Sequence, residues 1–217
     1  MNLGRFRVVG ETSGSILVVC MANVCRSPLA ELVLRDRFAR APELSVTSAG
    51  IDATGAQMCA AGHARREGVD WAAAAEAHRS HTVSATDLSG ADLILTSCRT
   101  SRGALARLSP DSRHRTFTLR EAAWLGRNYQ PDAASTVTAV REYAEFLDTR
   151  RAFDGLPPEH VSRWARARSR GDVLSIPDGH NLGSRAHKQT LDSVESLTLE
   201  VAAQIARKPG LPKSAPV

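Results

Sequence analysis

Short apolar runs alternate along this chain with segments whose apolar residues recur every three or four positions. "SILVVC" (15–20) is a run of β-branched and aliphatic residues of the length of a strand buried on both faces. After it the period changes: Ala30, Val33, Leu34 and Phe38 keep helical spacing, and Ser27-Pro28, with Glu31 in the first turn, predicts the helix start. "LSVTSAG" (44–50) reads as a second strand ending in glycine, residues 55 to 67 as a helix, "ADLILTS" (91–97) as a third strand and "RTFTL" (115–119) as a fourth. Strands alternating with helices predict an α/β domain built on a small four-stranded parallel sheet with helices on both faces.

The texture changes after about residue 125. Two helices are predicted near 134–150 and 158–168, separated by "DGLPP", and the second carries Arg163, Arg166, Arg168 and Arg170. An arginine-rich helix of this kind is ordinarily a solvated face. A turn-rich loop, "SIPDGHNLGS" (175–184), precedes a last amphipathic helix with Leu191, Val194, Leu197, Val201 and Ile205 at helical spacing. The reading is thus an N-terminal extension (1–14), one domain (15–206) whose texture changes over 127–172, and a C-terminal tail (207–217).

Composition changes this picture little. A chain of 217 residues fits one domain. A net charge of +5 permits an anionic substrate without identifying one. No apolar stretch approaches the roughly 20 residues of a membrane span, and the N-terminus lacks the apolar core of a signal peptide. The expectation is a soluble cytoplasmic protein with reduced cysteines and no membrane or nucleic-acid partner. Cys20, Cys25, Cys59 and Cys98 include no C-x-x-C pair, and the histidines no regular pair, so no spacing suits a zinc site. Neither a G-K-[ST] loop nor a G-x-G-x-x-G turn is present, which disfavours a nucleotide-binding fold.

The chemistry concentrates in "VVCMANVCRSPLAE" (18–31). This stretch joins a buried strand to a helix N-terminus, the place where α/β sheets bind ligands and backbone N–H groups cradle anions. Cys20, ending the strand, sits at the floor of such a cradle, where the positive field stabilises a thiolate. Arg26 can offer a planar fork to two phosphate oxygens, and Ser27 can donate to the sulfur. The expected reaction is attack of a thiolate on phosphorus, giving a cysteinyl-phosphate that water hydrolyses.

"VCMANVCRSPLAE" resembles the phosphate-binding loop of the low-molecular-weight protein tyrosine phosphatases, C-x-G-N-x-C-R-S-P-x-A-E. "VTSAG", "GAQM", "HRSHTVSATDLSGADLILT" and "FTLREAAWL" follow in family order, so the resemblance covers residues 15–125 and resumes at 173–206. It implies Cys20 as nucleophile, Arg26 as phosphate clamp, and Met21, Ala22, Asn23, Val24 and Cys25 as the loop around the phosphate. Ser27 would partner the thiolate, and Asn23, in a left-handed turn, would be tied down by Ser48 and His78. Cys25 matches a second loop cysteine able to form a disulfide with Cys20. The family's acid is an aspartate in an I-P-D-P loop before the final helix. Asp178 in "SIPDGHNLGS" matches better than Asp132 in "YQPDAAS", and both stretches compete for the role. If Asp178 is the acid, the resemblance implies that residues 127–172 are an insertion in the family pattern, a helical hairpin near the active-site rim.

The departures from the pattern carry their own expectations. Ala22 stands where the family has glycine and would be strained if that position needs a positive φ. Gly179 replaces the proline after the acid, which predicts a more mobile loop. "IDATGA" and "GHNLG" lack the tyrosine or tryptophan that often lines the pocket. Val24 is apolar, whereas phosphoarginine-specific relatives carry threonine there. The resemblance implies a phosphomonoesterase without cofactor or metal, acting on phosphotyrosine in proteins. Two alternatives stand beside it: an arsenate reductase on the same fold, and a catalytically impaired module that binds phosphorylated partners.

Overall fold

A computed structural model of the chain describes residues 13–65, 69–154 and 172–206. Four strands, β1 (Gly14–Cys20), β2 (Leu44–Gly50), β3 (Leu93–Thr96) and β4 (Thr116–Thr118), form one sheet in the order β2-β1-β3-β4. All three strand pairs are parallel, with Cys20 opposite Gly50 at the carboxyl end of β1 and Val19 opposite Thr96. The sheet is the one the apolar runs predict.

Alternate residues of β1 enter two different cores, which is why its sequence is apolar throughout. Ile16 and Val18 face a large cluster with α1 (Arg26–Arg37), α6 (Leu119–Gly126), α7 (Thr136–Arg151) and α8 (Ser184–Ile205). Leu17 and Val19 face a smaller cluster, completed by Ile94 and by Val83, Leu88 and Leu105 from the segments around α4 (Ala85–Gly90) and α5 (Arg99–Leu108). Helices therefore cover both faces. Ser84 with Asp87 and Thr118 with Glu121 form reciprocal capping boxes that start α4 and α6.

Two expectations about helices need correction. The helix expected over 55–67 is reduced to α2 (Ala60–His63), followed by α3 (Val69–Ala77). Residues 51–59 are held in an irregular, non-helical path by bonds to other segments: the N–H groups of Asp52 and Cys59 donate to Met21 and Val24, and Ala56 and Ser80 exchange bonds. These tertiary partners outweigh local helix propensity.

The first helix of the 127–172 segment, α7, does not lie at the rim of the carboxyl end. Arg141 reaches the Ser13 carbonyl and Asp92, just before β1 and β3, and Arg151 reaches the Thr116 carbonyl at the start of β4. α7 therefore crosses the amino ends of the strands, with Val140, Tyr143 and Leu147 fully buried. The second helix, expected near 158–168 with its arginines, lies outside the described residues. Among the described residues no helix is long and apolar enough to cross a membrane.

Candidate active site

The strand order changes direction at β1: the chain passes through α1 to β2 on one side and later returns to β3 on the other. Ligands of α/β sheets bind where the strand order reverses. Here that place holds two loops, residues 20–26 after β1 and residues 175–183, which dock on the end of β3 through Ile176 N–H to the Ser97 carbonyl.

The first loop is wound by its carbonyls. Those of Cys20, Met21 and Val24 accept from the N–H groups of Ile51, Asp52 and Cys59, and that of Asn23 accepts from His78 Nε2 at 2.8 Å. Among the described residues no peptide bond is cis. In a trans peptide the following N–H points opposite to the carbonyl, so the N–H groups of Met21, Ala22, Val24 and Cys25 turn towards the concave side. Gly50 allows the close approach of β2 that this winding needs. A Cβ there would lie 2.8 Å from the Met21 carbonyl oxygen.

Asn23 is the keystone. It is fully buried and has φ +54°, the one non-glycine residue with positive φ among those described. Its Nδ2 donates to Ser27 Oγ (2.9 Å) and Ser48 Oγ (2.8 Å), and its Oδ1 accepts from His81 N–H (3.3 Å). Ser48 in turn donates to Glu31 at 2.7 Å. These partners offset the cost of the left-handed backbone. Because the positive φ falls on Asn23, Ala22 carries none of the strain considered for it.

Two donors point at the Cys20 sulfur: the Asn23 N–H at 3.2 Å and the Ser27 hydroxyl at 3.1 Å. Arg26 is buried in the first turn of α1, and its Nη2 donates to Asp178 Oδ2 at 2.5 Å while Nη1 reaches the Ile176 carbonyl. The loop carrying Asp178 is clamped from behind by Thr190, whose hydroxyl donates to the Pro177 carbonyl. Gly179 lies so close to α8 that a Cβ would stand 2.5 Å from the Ala186 carbonyl oxygen. Glycine at this position thus serves close docking.

The structure brings together Cys20, Asn23, Arg26, Ser27, Ser48, His78 and Asp178, with Met21, Ala22, Val24 and Cys25 completing the loop. It does not bring Asp132 to them: that exposed residue follows α6, which runs from the carboxyl end of β4 towards α7. Sequence reasoning missed Glu31 as an anchor and His81 as a partner of Asn23. It also missed a cluster beside the loop, where Cys25 Sγ lies 3.3 Å from His180 Nδ1 and Cys59 Sγ 3.7 Å from His187 Nε2. The Cys59 thiol is lowered to about 7, first by the hydrogen bond from Cys25, while Cys25 is pushed far up by the same bond and by burial. All four cysteines are free.

Residues 15–134 match the family described as low molecular weight phosphotyrosine protein phosphatase. The chain belongs to this phosphatase family. Among curated relatives, the low molecular weight protein-tyrosine-phosphatase Ptp of Acinetobacter johnsonii is 34% identical over 131 residues, covering 55% of this chain and 83% of the relative. Wzb of Salmonella typhi, of the same description, is 33% identical over 155 residues, covering 70% of this chain and 92% of the relative. The crystal structure of the tyrosine phosphatase Wzb from Escherichia coli K30 in complex with phosphate superposes with a TM-score of 0.56 at 19% identity, covering 88% of this chain and 96% of that one. That last likeness shows the shared fold.

The matched residues end at 134, so most of the 127–172 segment, the loop carrying Asp178 and α8 all lie beyond them.

Proposed function

We propose that this phosphatase hydrolyses phosphotyrosine in proteins through a cysteinyl-phosphate, with Cys20 as nucleophile, Arg26 as clamp and Asp178 as acid. The observation that carries the reading is the Cys20 sulfur, held by two donors at the floor of a ring of inward N–H groups. Donors aimed at the sulfur favour its anionic form, and inward N–H groups with the Arg26 guanidinium meet the equatorial oxygens of a phosphoryl group.

In the first step the Cys20 thiolate attacks phosphorus, the bond from phosphorus to the tyrosyl oxygen breaks, and the Asp178 carboxylic acid gives its proton to that oxygen. In the second, the Asp178 carboxylate takes a proton from water, whose oxygen attacks phosphorus. The S–P bond breaks, the thiolate returns and phosphate leaves. Ser27 donates to the sulfur as it departs. No step in this sequence needs a metal or cofactor.

The preference for an aromatic phosphoester is supported by the loops' apolar residues. Met21 on the phosphate loop and Leu182 on the acid loop are large and exposed, and Val24, three residues after Met21, is half-buried. They supply apolar surface for a phenyl ring where the usual tyrosine or tryptophan is missing. A reducing, cytoplasmic setting suits a thiolate nucleophile with three other free cysteines.

The test is hydrolysis of p-nitrophenyl phosphate and of a tyrosine-phosphorylated peptide by wild type and Cys20→Ser. Turnover by wild type and none by Cys20→Ser is expected. Undiminished turnover by Cys20→Ser, or a wild type that binds vanadate without turnover, would contradict the reading.

A further inference from the structure

We propose that Cys25, Cys59, His180 and His187 form a zinc site beside the phosphate loop. The Sγ atoms of Cys25 and Cys59 and a ring nitrogen of His187 all lie within 4.8 Å of one another. Cys59 Sγ is 3.7 Å from His187 Nε2, and Cys25 Sγ is 3.3 Å from His180 Nδ1. The two imidazole rings meet edge to face, with centroids 5.1 Å apart.

The two sulfur–nitrogen separations suit a tetrahedral shell. With Zn–S about 2.3 Å and Zn–N about 2.0 Å, a tetrahedral angle places sulfur and nitrogen roughly 3.5 Å apart, between the two observed values. Two thiolates and two imidazoles are soft and borderline donors, which select zinc over the oxygen-seeking magnesium and calcium. No carboxylate belongs to the set. Cys25, Cys59 and His187 supply three donors already gathered, and His180, bonded to Cys25 and stacked edge-on against His187, is the fourth that turns in on metal binding.

The framework is already fixed on the cysteine side. Both cysteines are buried, and the Cys59 N–H donates to the Val24 carbonyl at 2.9 Å, pinning the start of α2 to the residue before Cys25. His187 stands in the first turn of α8, and its N–H donates to the Gly183 carbonyl. His180 comes from the acid loop, and its own N–H donates to Asp178 Oδ1 at 3.1 Å. A zinc ion would therefore join the phosphate loop, α2, the acid loop and α8 at one point. It would hold the segment carrying Asp178 against the loop carrying Arg26.

Binding one Zn²⁺ displaces the two thiol protons to solvent and leaves both sulfurs as metal thiolates. Cys25 is then occupied and no longer a free partner for Cys20. The inference stands apart from the hydrolytic reading, because metal binding is measured without turnover.

The test titrates the full-length chain, reduced and stripped with chelator, with Zn²⁺ against a chromophoric chelator and, in parallel, with Co²⁺. We expect one equivalent of zinc, a tetrahedral cobalt spectrum with thiolate charge-transfer absorption, and a rise in Tm on zinc binding. Cys59→Ser and His187→Ala should each weaken zinc ~10-fold or more, with Cys98→Ser binding as wild type. Should either variant fail to fold, the cobalt spectrum of wild type still decides the donor set. An octahedral cobalt spectrum without charge transfer would overturn the proposal. So would zinc binding lost in Cys20→Ser but kept in Cys59→Ser, or a Cys25–Cys59 disulfide in protein purified without oxidant.

Discussion

Arg26 and Asp178, 152 residues apart in sequence, form a 2.5 Å ion pair across the mouth of the phosphate cradle. The guanidinium is buried, while the aspartate side chain is 52% exposed. One partner is thus fixed by α1, and the other stands at the surface of a loop docked on β3 and α8. On the proposed mechanism a phosphoryl group entering the cradle would compete with Asp178 for the same guanidinium and free its carboxyl for the leaving oxygen.

Asp178→Asn removes both the proton donor and the competing charge. We expect kcat to fall about 10²- to 10³-fold, with a larger loss for alkyl than for nitrophenyl leaving groups. Vanadate inhibition should be as tight as in wild type or tighter. Steady-state kinetics with two leaving groups checks this. An unimpaired Asp178→Asn alongside a slow Asp132→Asn would move the acid to the other loop.

Asn23→Ala leaves an alanine in the left-handed region and strips partners from Ser27, Ser48 and His81. The backbone costs about 1–2 kcal/mol and each abandoned buried group about 1–3 kcal/mol. Denaturant unfolding should register a loss of about 3 kcal/mol or more, and turnover should vanish. Asn23→Gly should recover the backbone share of stability and none of the activity. Equal stability of the two variants would show that φ is not a source of strain.

At Gly179 an added methyl group meets the backbone of α8. Gly179→Ala should lift the acid loop and lower kcat by on the order of 10- to 10²-fold, as a misplaced catalytic group does. Inhibition by vanadate, which depends on the cradle, should hold. An unchanged kcat would mean the loop's docking on α8 does not position Asp178.

Leu147 on α7 is fully buried in the larger core. Leu147→Ala should destabilise the protein by about 2–5 kcal/mol while leaving kcat and KM of the folded enzyme unchanged. A change in KM without a change in stability would mean α7 borders the substrate after all.

The sheet and the phosphate loop were legible because their determinants are local. Continuous apolar runs announced the strands, and Cys20, Asn23, Arg26 and Ser27 carry their chemistry within eight residues. The irregular path of residues 51–59 was not legible, since its N–H groups bond carbonyls of the phosphate loop more than thirty residues away. The pattern of α7 announced a buried face but could not say which end of the sheet it would cover. Cys59, His180 and His187 have no telling spacing because three separate segments deliver them to Cys25.

The most direct test of the central claim is a rapid quench of wild type turning over p-nitrophenyl phosphate, followed by peptide mass analysis. The account predicts one phosphoryl group on the peptide containing Cys20, carried by that residue and absent from Cys20→Ser. A phosphoryl group on Cys25 or Cys59, or turnover with no phosphoenzyme at any quench time, would contradict it.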